Sequence, residues 1–145
     1  MKLHPIKENL HDNHEFLNHP DCQESIYLSV AFFKNVGYHH PWIGYYASVN
    51  GELVGTGAFK GRPLFGKVEI AYGIFPQFRQ RGLGTEICKQ LVQLSLETDS
   101  SVLITARTLK EENFSTRILR KNGFHHLGVV HDMDDGEVWE WEYRF

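Results

Sequence analysis
The stretch Gly73-Ile74-Phe75-Pro76-Gln77-Phe78-Arg79-Gln80-Arg81-Gly82-Leu83-Gly84-Thr85 constrains the whole chain. An apolar strand pattern runs into it and an amphipathic helical pattern runs out of it. The turn between them holds two glycines, basic and amide side chains and no acid. Glycine lets a backbone come close to a ligand, and a new helix offers unpaired N–H groups and a positive dipole end to an anion. That is the chemistry of a phosphate cradle. Alone it is a weak motif, because glycines punctuate many strand–helix turns. It is not a Walker loop, since no Lys-Ser or Lys-Thr follows Gly84, and it lacks the third glycine and later acid of a dinucleotide fingerprint.

The flanks give the cradle its neighbours. Val68 to Phe75 reads as a strand with Val68, Ile70, Tyr72 and Ile74 on one face and Glu69, Ala71, Gly73 and Phe75 on the other. A lone carboxylate thus shares a face with small residues, which leave room for something other than protein. Leu83, Ile87, Leu91 and Leu94 form the apolar stripe of the following helix, with Cys88 at its margin. Val102 to Ala106 is a continuous apolar run, as expected of a strand covered on both sides. A helix is expected over 112–122, stopped by Gly123. The strand–helix–strand unit should be parallel and right-handed.

Before it, residues 3–7 suit a short strand, and 11–19 a loop or short helix. Asp21 is a possible N-cap for a helix carrying Ile26, Val30 and Phe33 and ending at Gly37. Residues 42–49 and 53–60 flank Asn50-Gly51, a hairpin signal, and the strands 124–131 and 137–145 flank a second at Asp135-Gly136. In the last strand Trp139, Trp141, Tyr143 and Phe145 share a face. The order implies an α/β chain with a twisted mixed sheet and helices on both faces.

Length and composition narrow the class. The 145 residues suit one domain, 1–145, with 41 % apolar and 23 % charged residues. A net charge of −3 argues against a nucleic-acid partner. Cys22 and Cys88 form no paired motif, which favours a reducing cytoplasm over a disulfide framework. No apolar window has the length of a signal peptide or a membrane span.

In context, two landmarks resemble the GNAT superfamily of N-acetyltransferases. One is Arg79-Gln80-Arg81-Gly82-Leu83-Gly84, similar to that family's Arg/Gln-x-x-Gly-x-Gly/Ala. The other is the helix Glu112-Asn113-Phe114-Ser115-Thr116-Arg117-Ile118-Leu119-Arg120-Lys121-Asn122 ending in Gly123-Phe124. The resemblance covers about residues 42–145. It implies a mostly antiparallel sheet with one parallel, splayed strand pair, opening around Ile104 and Thr105. It implies acetyl-CoA as co-substrate, no metal, and direct transfer in a ternary complex to a primary amine on a small molecule or a protein N-terminus. The chain would act as a monomer or homodimer.

Residue by residue, the resemblance places the CoA diphosphate on the N–H groups from Arg81 through Gly82, Leu83 and Gly84 to Thr85, beside Arg79 and Gln80. The pantetheine arm would run past Ile74 and Phe75, with Asn113 nearby. Glu69 matches a strand glutamate that serves as general base in many members; the bland alternative is an ion pair with a residue such as Arg107. Leu119 stands where many members carry a tyrosine that protonates the thiolate, so Ser115 or Tyr72 is left for that role. Asn113 and Ser115 are one residue closer than the usual Asn-x-x-Ser. Tyr27, Trp42 and Tyr46 fall in the part that forms the acceptor site, although most aromatics there must be core. His39-His40 and Arg62 could border it.

Three other features have ordinary explanations. The histidines fit no common ligand spacing. Asp132-Met133-Asp134-Asp135-Gly136 lacks calcium-loop spacing and reads as hairpin chemistry. Cys22 has no histidine partner by motif. An acyl-CoA-binding sensor with little catalysis is the second functional class, kept open by the missing tyrosine.

Overall fold
The computed structural model describes residues 1–144, so Phe145, expected in the last apolar row, lies outside the described residues. The elements are β1 (Lys2–Pro5), α1 (His14–Leu17), α2 (Ser25–Val36), β2 (Gly44–Val49), β3 (Glu52–Phe59), β4 (Lys67–Ile74), α3 (Leu83–Thr98), β5 (Leu103–Thr108), α4 (Phe114–Lys121), β6 (Phe124–Asp132) and β7 (Gly136–Tyr143). They build a seven-stranded sheet of order β1-β2-β3-β4-β5-β7-β6. Among the described residues only β4 and β5 pair in parallel; the other neighbours are antiparallel.

Local chemistry explains the turns. Asn50 and Gly51 both take positive φ, 52° and 81°, as the tight β2–β3 hairpin requires. The second hairpin is organised by Asp132 more than by Asp135-Gly136. Its Oδ1 accepts the amide N–H groups of Asp134 at 2.9 Å and Asp135 at 3.2 Å, and β7 then begins at Gly136.

Helices cover both faces. A Cβ on Gly57 of β3 would lie 2.6 Å from Ile87, so α3 packs directly on that face. A Cβ on Gly44 would meet the Phe33 ring at 3.8 Å, which puts α2 on the other. Ile87, Leu91, Leu119 and Trp141 are fully buried under α3 and α4. Full burial of such a side chain contributes about 1.5–3 kcal/mol. Helix α3 also buries Cys88, Val92 and Ser95, a wider face than the leucine stripe alone. Among the described residues no helix is long and apolar enough to cross a membrane.

Three expectations change. Helix α2 starts at Ser25, because residues Pro20–Cys22 form a separate 3-10 turn whose cap is the His19 ring, accepting the Asp21 N–H at 3.2 Å. Asp21 instead accepts a hydrogen bond from Gln77 at 2.8 Å. Strand β5 is open at its margins: Leu103 is 43 % exposed and Arg107 also reaches solvent. Finally, Ile104 and Thr105 still lie in the parallel ladder, opposite Val68 and Glu69. The two strands separate further along, after Ile70↔Ala106, where each keeps only its antiparallel partner: β4 on β3 as far as Ile74, β5 on β7 as far as Thr108.

Candidate active site
Past Ile70, the β5-facing edge of Ala71–Ile74 has no strand beside it. Backbone polar groups along an unpaired edge seek partners, so an extended ligand can take the place of the missing strand. A cavity of about 460 Å³ lies in this opening, lined by Tyr72, Gly73, Ile74, Arg79, Gln80, Phe114, Ser115 and Arg117. Of the residues read from the sequence, Tyr72, Ile74, Arg79, Gln80 and Ser115 meet here. Phe75 does not: it turns to the other face and stacks on His19 at 6.4 Å.

The turn into α3 closes one end. Gln80 and Gly82 take positive φ, 66° and 76°, and the first bond of the helix runs from the Glu86 N–H to the Gly82 carbonyl at 3.3 Å. The N–H groups of Leu83, Gly84 and Thr85 therefore precede the helical ladder and stay available to an anion. A Cβ on Gly82 would meet nothing within 4 Å, so the backbone there is open. Gly84 is glycine for another reason: its Cβ would lie 2.6 Å from Ile118 Cδ1, where α4 crosses α3. Asn122 ties the same crossing by donating to the Thr85 carbonyl at 3.2 Å. Arg81 rests on the Phe78 ring at 5.5 Å, and Arg79 Nε reaches the Ile74 carbonyl at 3.4 Å. Arg79, Arg81 and Arg117 have no carboxylate partner among the described residues. Free cations, open backbone and a helix start fit a diphosphate.

Tyr72 and Ser115 meet on the wall of the cavity. Tyr72 Oη donates to the Ser115 carbonyl at 3.1 Å, and burial pushes the Tyr72 hydroxyl well above the usual tyrosine range. The Ser115 hydroxyl has no hydrogen-bond partner among the described residues. Capping of α4 falls to Asn113 instead. Its Oδ1 accepts the Thr116 N–H at 3.1 Å, and Thr116 Oγ1 accepts the Asn113 N–H at 2.9 Å. Asn113 is thus spent on the helix start. Leu119 is fully buried, so its position belongs to the core.

Glu69 faces a different space. Lys60 Nζ lies 2.9 Å from Glu69 Oε2, and Arg107 Nε lies 3.9 Å from its Oε1. Arg107 also donates to Asp132 at 2.9 Å and Glu140 at 3.3 Å. That guanidinium, with the amides of Asp134 and Asp135, holds the Asp132 carboxyl down at about 2. Lys60, Glu69, Arg107 and Glu140 of this network, with Arg62, Lys67 and Thr105, line a pocket of about 500 Å³ on the sheet face opposite α3. The ion-pair alternative for Glu69 is therefore present, with Lys60 as the nearer partner.

The acceptor aromatics are spread out. Tyr27 is 57 % exposed on α2. Trp42 meets Phe59 edge-on at 5.1 Å. Tyr46 has no exposed surface and its hydroxyl is bonded to Ser25 Oγ at 2.6 Å, which leaves it nothing to offer an acceptor. Cys22 is buried and its thiol is pushed up to about 11, the reverse of an activated nucleophile. Sequence reasoning missed Phe114, Arg117 and Lys60. Phe114 and Arg117 carried a signal, lying three apart at the start of the motif helix; Lys60 carried none.

The fold as a whole has counterparts among known proteins. The model of the acetyltransferase (GNAT) domain matches residues 4–125, and the chain belongs to that family of acetyltransferases. Solved structures agree in fold. RimL, a ribosomal L7/L12 alpha-N-protein acetyltransferase in complex with coenzyme A, is 13 % identical over 97 % of this chain and 91 % of its own, with a TM-score of 0.69. Aminoglycoside acetyltransferase AAC(6')-Ib with coenzyme A is 22 % identical over 99 % and 94 %, with a TM-score of 0.68. A ribosomal-protein-alanine N-acetyltransferase from Brucella melitensis is 15 % identical over 100 % of both chains, with a TM-score of 0.70. No curated protein matches the chain.

Proposed function
We propose that the protein transfers the acetyl group of acetyl-CoA to a primary amine by direct attack in a ternary complex. The observation that carries this is the unpaired β4 edge from Ala71 to Ile74, opening into a cavity that reaches Arg79 and Gln80 of the turn leading into α3. An extended pantetheine suits the edge, and the diphosphate suits the N–H groups of Leu83 to Thr85 with Arg79, Arg81 and Arg117 around it.

In the reaction the amine nitrogen forms a bond to the acyl carbon, the C–S bond breaks, the amine gives up a proton and the thiolate gains one. Ser115 is assigned the second proton transfer, because its hydroxyl lines the cavity and is uncommitted. Tyr72 is assigned to hold α4 in place through the Ser115 carbonyl. Glu69 is assigned to draw in the amine and, through water, to take its proton, within the network it shares with Lys60 and Arg107. The acceptor approaches from the face opposite α3.

One observation favours the sensor reading: Glu69 is ion-paired and Leu119 is buried, so neither usual catalytic position carries a free group. One pair of measurements separates the two. Acetyl-CoA should raise Tm, and a panel of primary amines should release free CoA thiol. A thermal shift with no thiol from any amine leaves only the sensor; no thermal shift removes both.

A further inference from the structure
The face opposite α3 carries a second opening. Gly44, Ala58 and Ala71 lie side by side across β2, β3 and β4, in register as Gly44↔Ala58 and Ala58↔Ala71. Ala58 and Ala71 leave a trough under α2, which Phe33 closes at its Gly44 end. Leu28 and Phe32 overhang it, and the resulting groove has a volume of about 400 Å³. Leu28 is 64 % exposed and Phe32 38 %, so the helix roofs the trough without filling it. Apolar side chains left in water beside an open trough are in place to cover an apolar guest.

Charge says which guest. Among the described residues Lys60 is the only ionisable one on the groove wall, and its ammonium is held by Glu69. The described residues place no acid along the length of the groove. At the Ala71 end it reaches the point where β4 leaves β5, one residue past the last parallel pair. There the acids begin: Glu69 is two residues back on the same strand face, and Glu140 and Asp132 stand behind Arg107. Lys60 and Arg107 already pair those acids, and Arg62 and Lys67 stand among them, so that end has room for one amine, which attacks as the neutral form, and repels further positive charge. A second cation on the arm would lose hydration with no carboxylate to replace it.

Resting on the transferase reading above, we infer that the acceptor is a small primary monoamine with one apolar arm. The arm lies on Ala58 and Ala71 beneath Leu28 and Phe32, with the amine at the Glu69 end.

The test compares kcat/KM for a graded series of alkyl- and arylalkylamines with spermidine, an aminoglycoside and a short peptide with an apolar first residue. Each methylene added within the groove should raise kcat/KM by about tenfold, the order expected of an apolar pocket. Polyamine and aminoglycoside should fall at least about tenfold below the best monoamine on the same scale. Leu28→Asp and Phe32→Asp alter exposed side chains; they should shrink that preference with the KM for acetyl-CoA unchanged. Equal turnover of the polycations overturns the inference. So does acetylation of the peptide without the matching free amine, or a preference that neither variant moves, and in each of these cases the transferase stands. Acetyl-CoA binding without thiol release from any amine removes the transferase reading and this inference together.

Discussion
Lys60 Nζ sits 2.9 Å from Glu69 Oε2, across the β3–β4 pair and beside the row of small residues that leads to the strand opening. The pair gives Glu69 two possible duties, general base and structural anion, which one substitution separates. Glu69→Gln should lower kcat at neutral pH by about 10²–10⁴-fold if the carboxylate takes the amine's proton. Acetyl-CoA affinity should stay the same, and activity should recover at high pH, where the amine loses its proton unaided. An unchanged pH–rate profile, with a stability loss below about 1 kcal/mol, would leave Glu69 a partly exposed ion pair and nothing more.

Arg107 and Asp132 form the stronger ion pair, at 2.9 Å, and it should appear in acid stability. The folded carboxyl is held at about 2, below its ordinary 3.8. A depressed folded value means the contribution is complete above the unfolded value, and is lost as pH falls from about 4 through about 2. Its size should be about 1–2 kcal/mol, allowing for solvent screening of the arginine. Asp132→Asn keeps the oxygen that accepts the Asp134 and Asp135 amides and removes both the charge and the acceptor facing Arg107. Urea unfolding should show the variant weaker at pH 7, with the gap to the parent shrinking steadily as pH falls from about 4 through about 2. A gap that does not shrink over that range would trace the loss to the turn instead.

The two glycines of the cradle should fail differently. Gly82→Val puts a β-branched side chain at φ 76°, which costs more than the ~1–2 kcal/mol of an ordinary left-handed residue, and crowds an open backbone. Acetyl-CoA should bind at least about tenfold more weakly, a loss of about 1.4 kcal/mol. Gly84→Ala pushes a methyl against Ile118 Cδ1 and should cost about 1–3 kcal/mol of stability, with a smaller change in affinity. Thermal unfolding and calorimetric titration of both variants check the split. Normal affinity in Gly82→Val would mean that the diphosphate lies elsewhere.

What the sequence disclosed was local. The strand, turn and helix from Val68 to Leu94 are written in consecutive residues: alternation, then two glycines, then a periodic stripe. Asn50-Gly51 specified its hairpin for the same reason. What stayed hidden depends on register and crossing. Nothing near Glu69 in sequence says that Lys60 will lie beside it, because that follows from β3–β4 pairing, where the Lys60 N–H donates to the Glu69 carbonyl at 2.8 Å. Gly84 reads as a ligand glycine until α4 brings Ile118 onto it. Asp21 reads as a cap until the 3-10 turn at Pro20–Cys22 takes His19 for that purpose and gives Asp21 to Gln77. The row Gly44, Ala58 and Ala71 is visible only once three strands are aligned.

The choice between Ser115 and Tyr72 as thiolate acid rests on where each proton already is. The Tyr72 hydroxyl is buried, held neutral well beyond the usual tyrosine range, and committed to the Ser115 carbonyl. To serve the thiolate it must first give up that bond, at a cost of about 1 kcal/mol. The Ser115 hydroxyl gives up nothing. Ser115→Ala should therefore lower kcat by about tenfold or more, with the KM for acetyl-CoA unchanged, since this is a loss felt only in the transition state. Tyr72→Phe should lower Tm through the lost bond to α4 and leave kcat within a small factor. Paired kcat and Tm measurements on the two variants decide. A kcat loss in Tyr72→Phe that exceeds that of Ser115→Ala would make the tyrosine the acid, and Ser115 would then serve only through its backbone carbonyl, the group that fixes the tyrosine in the cavity.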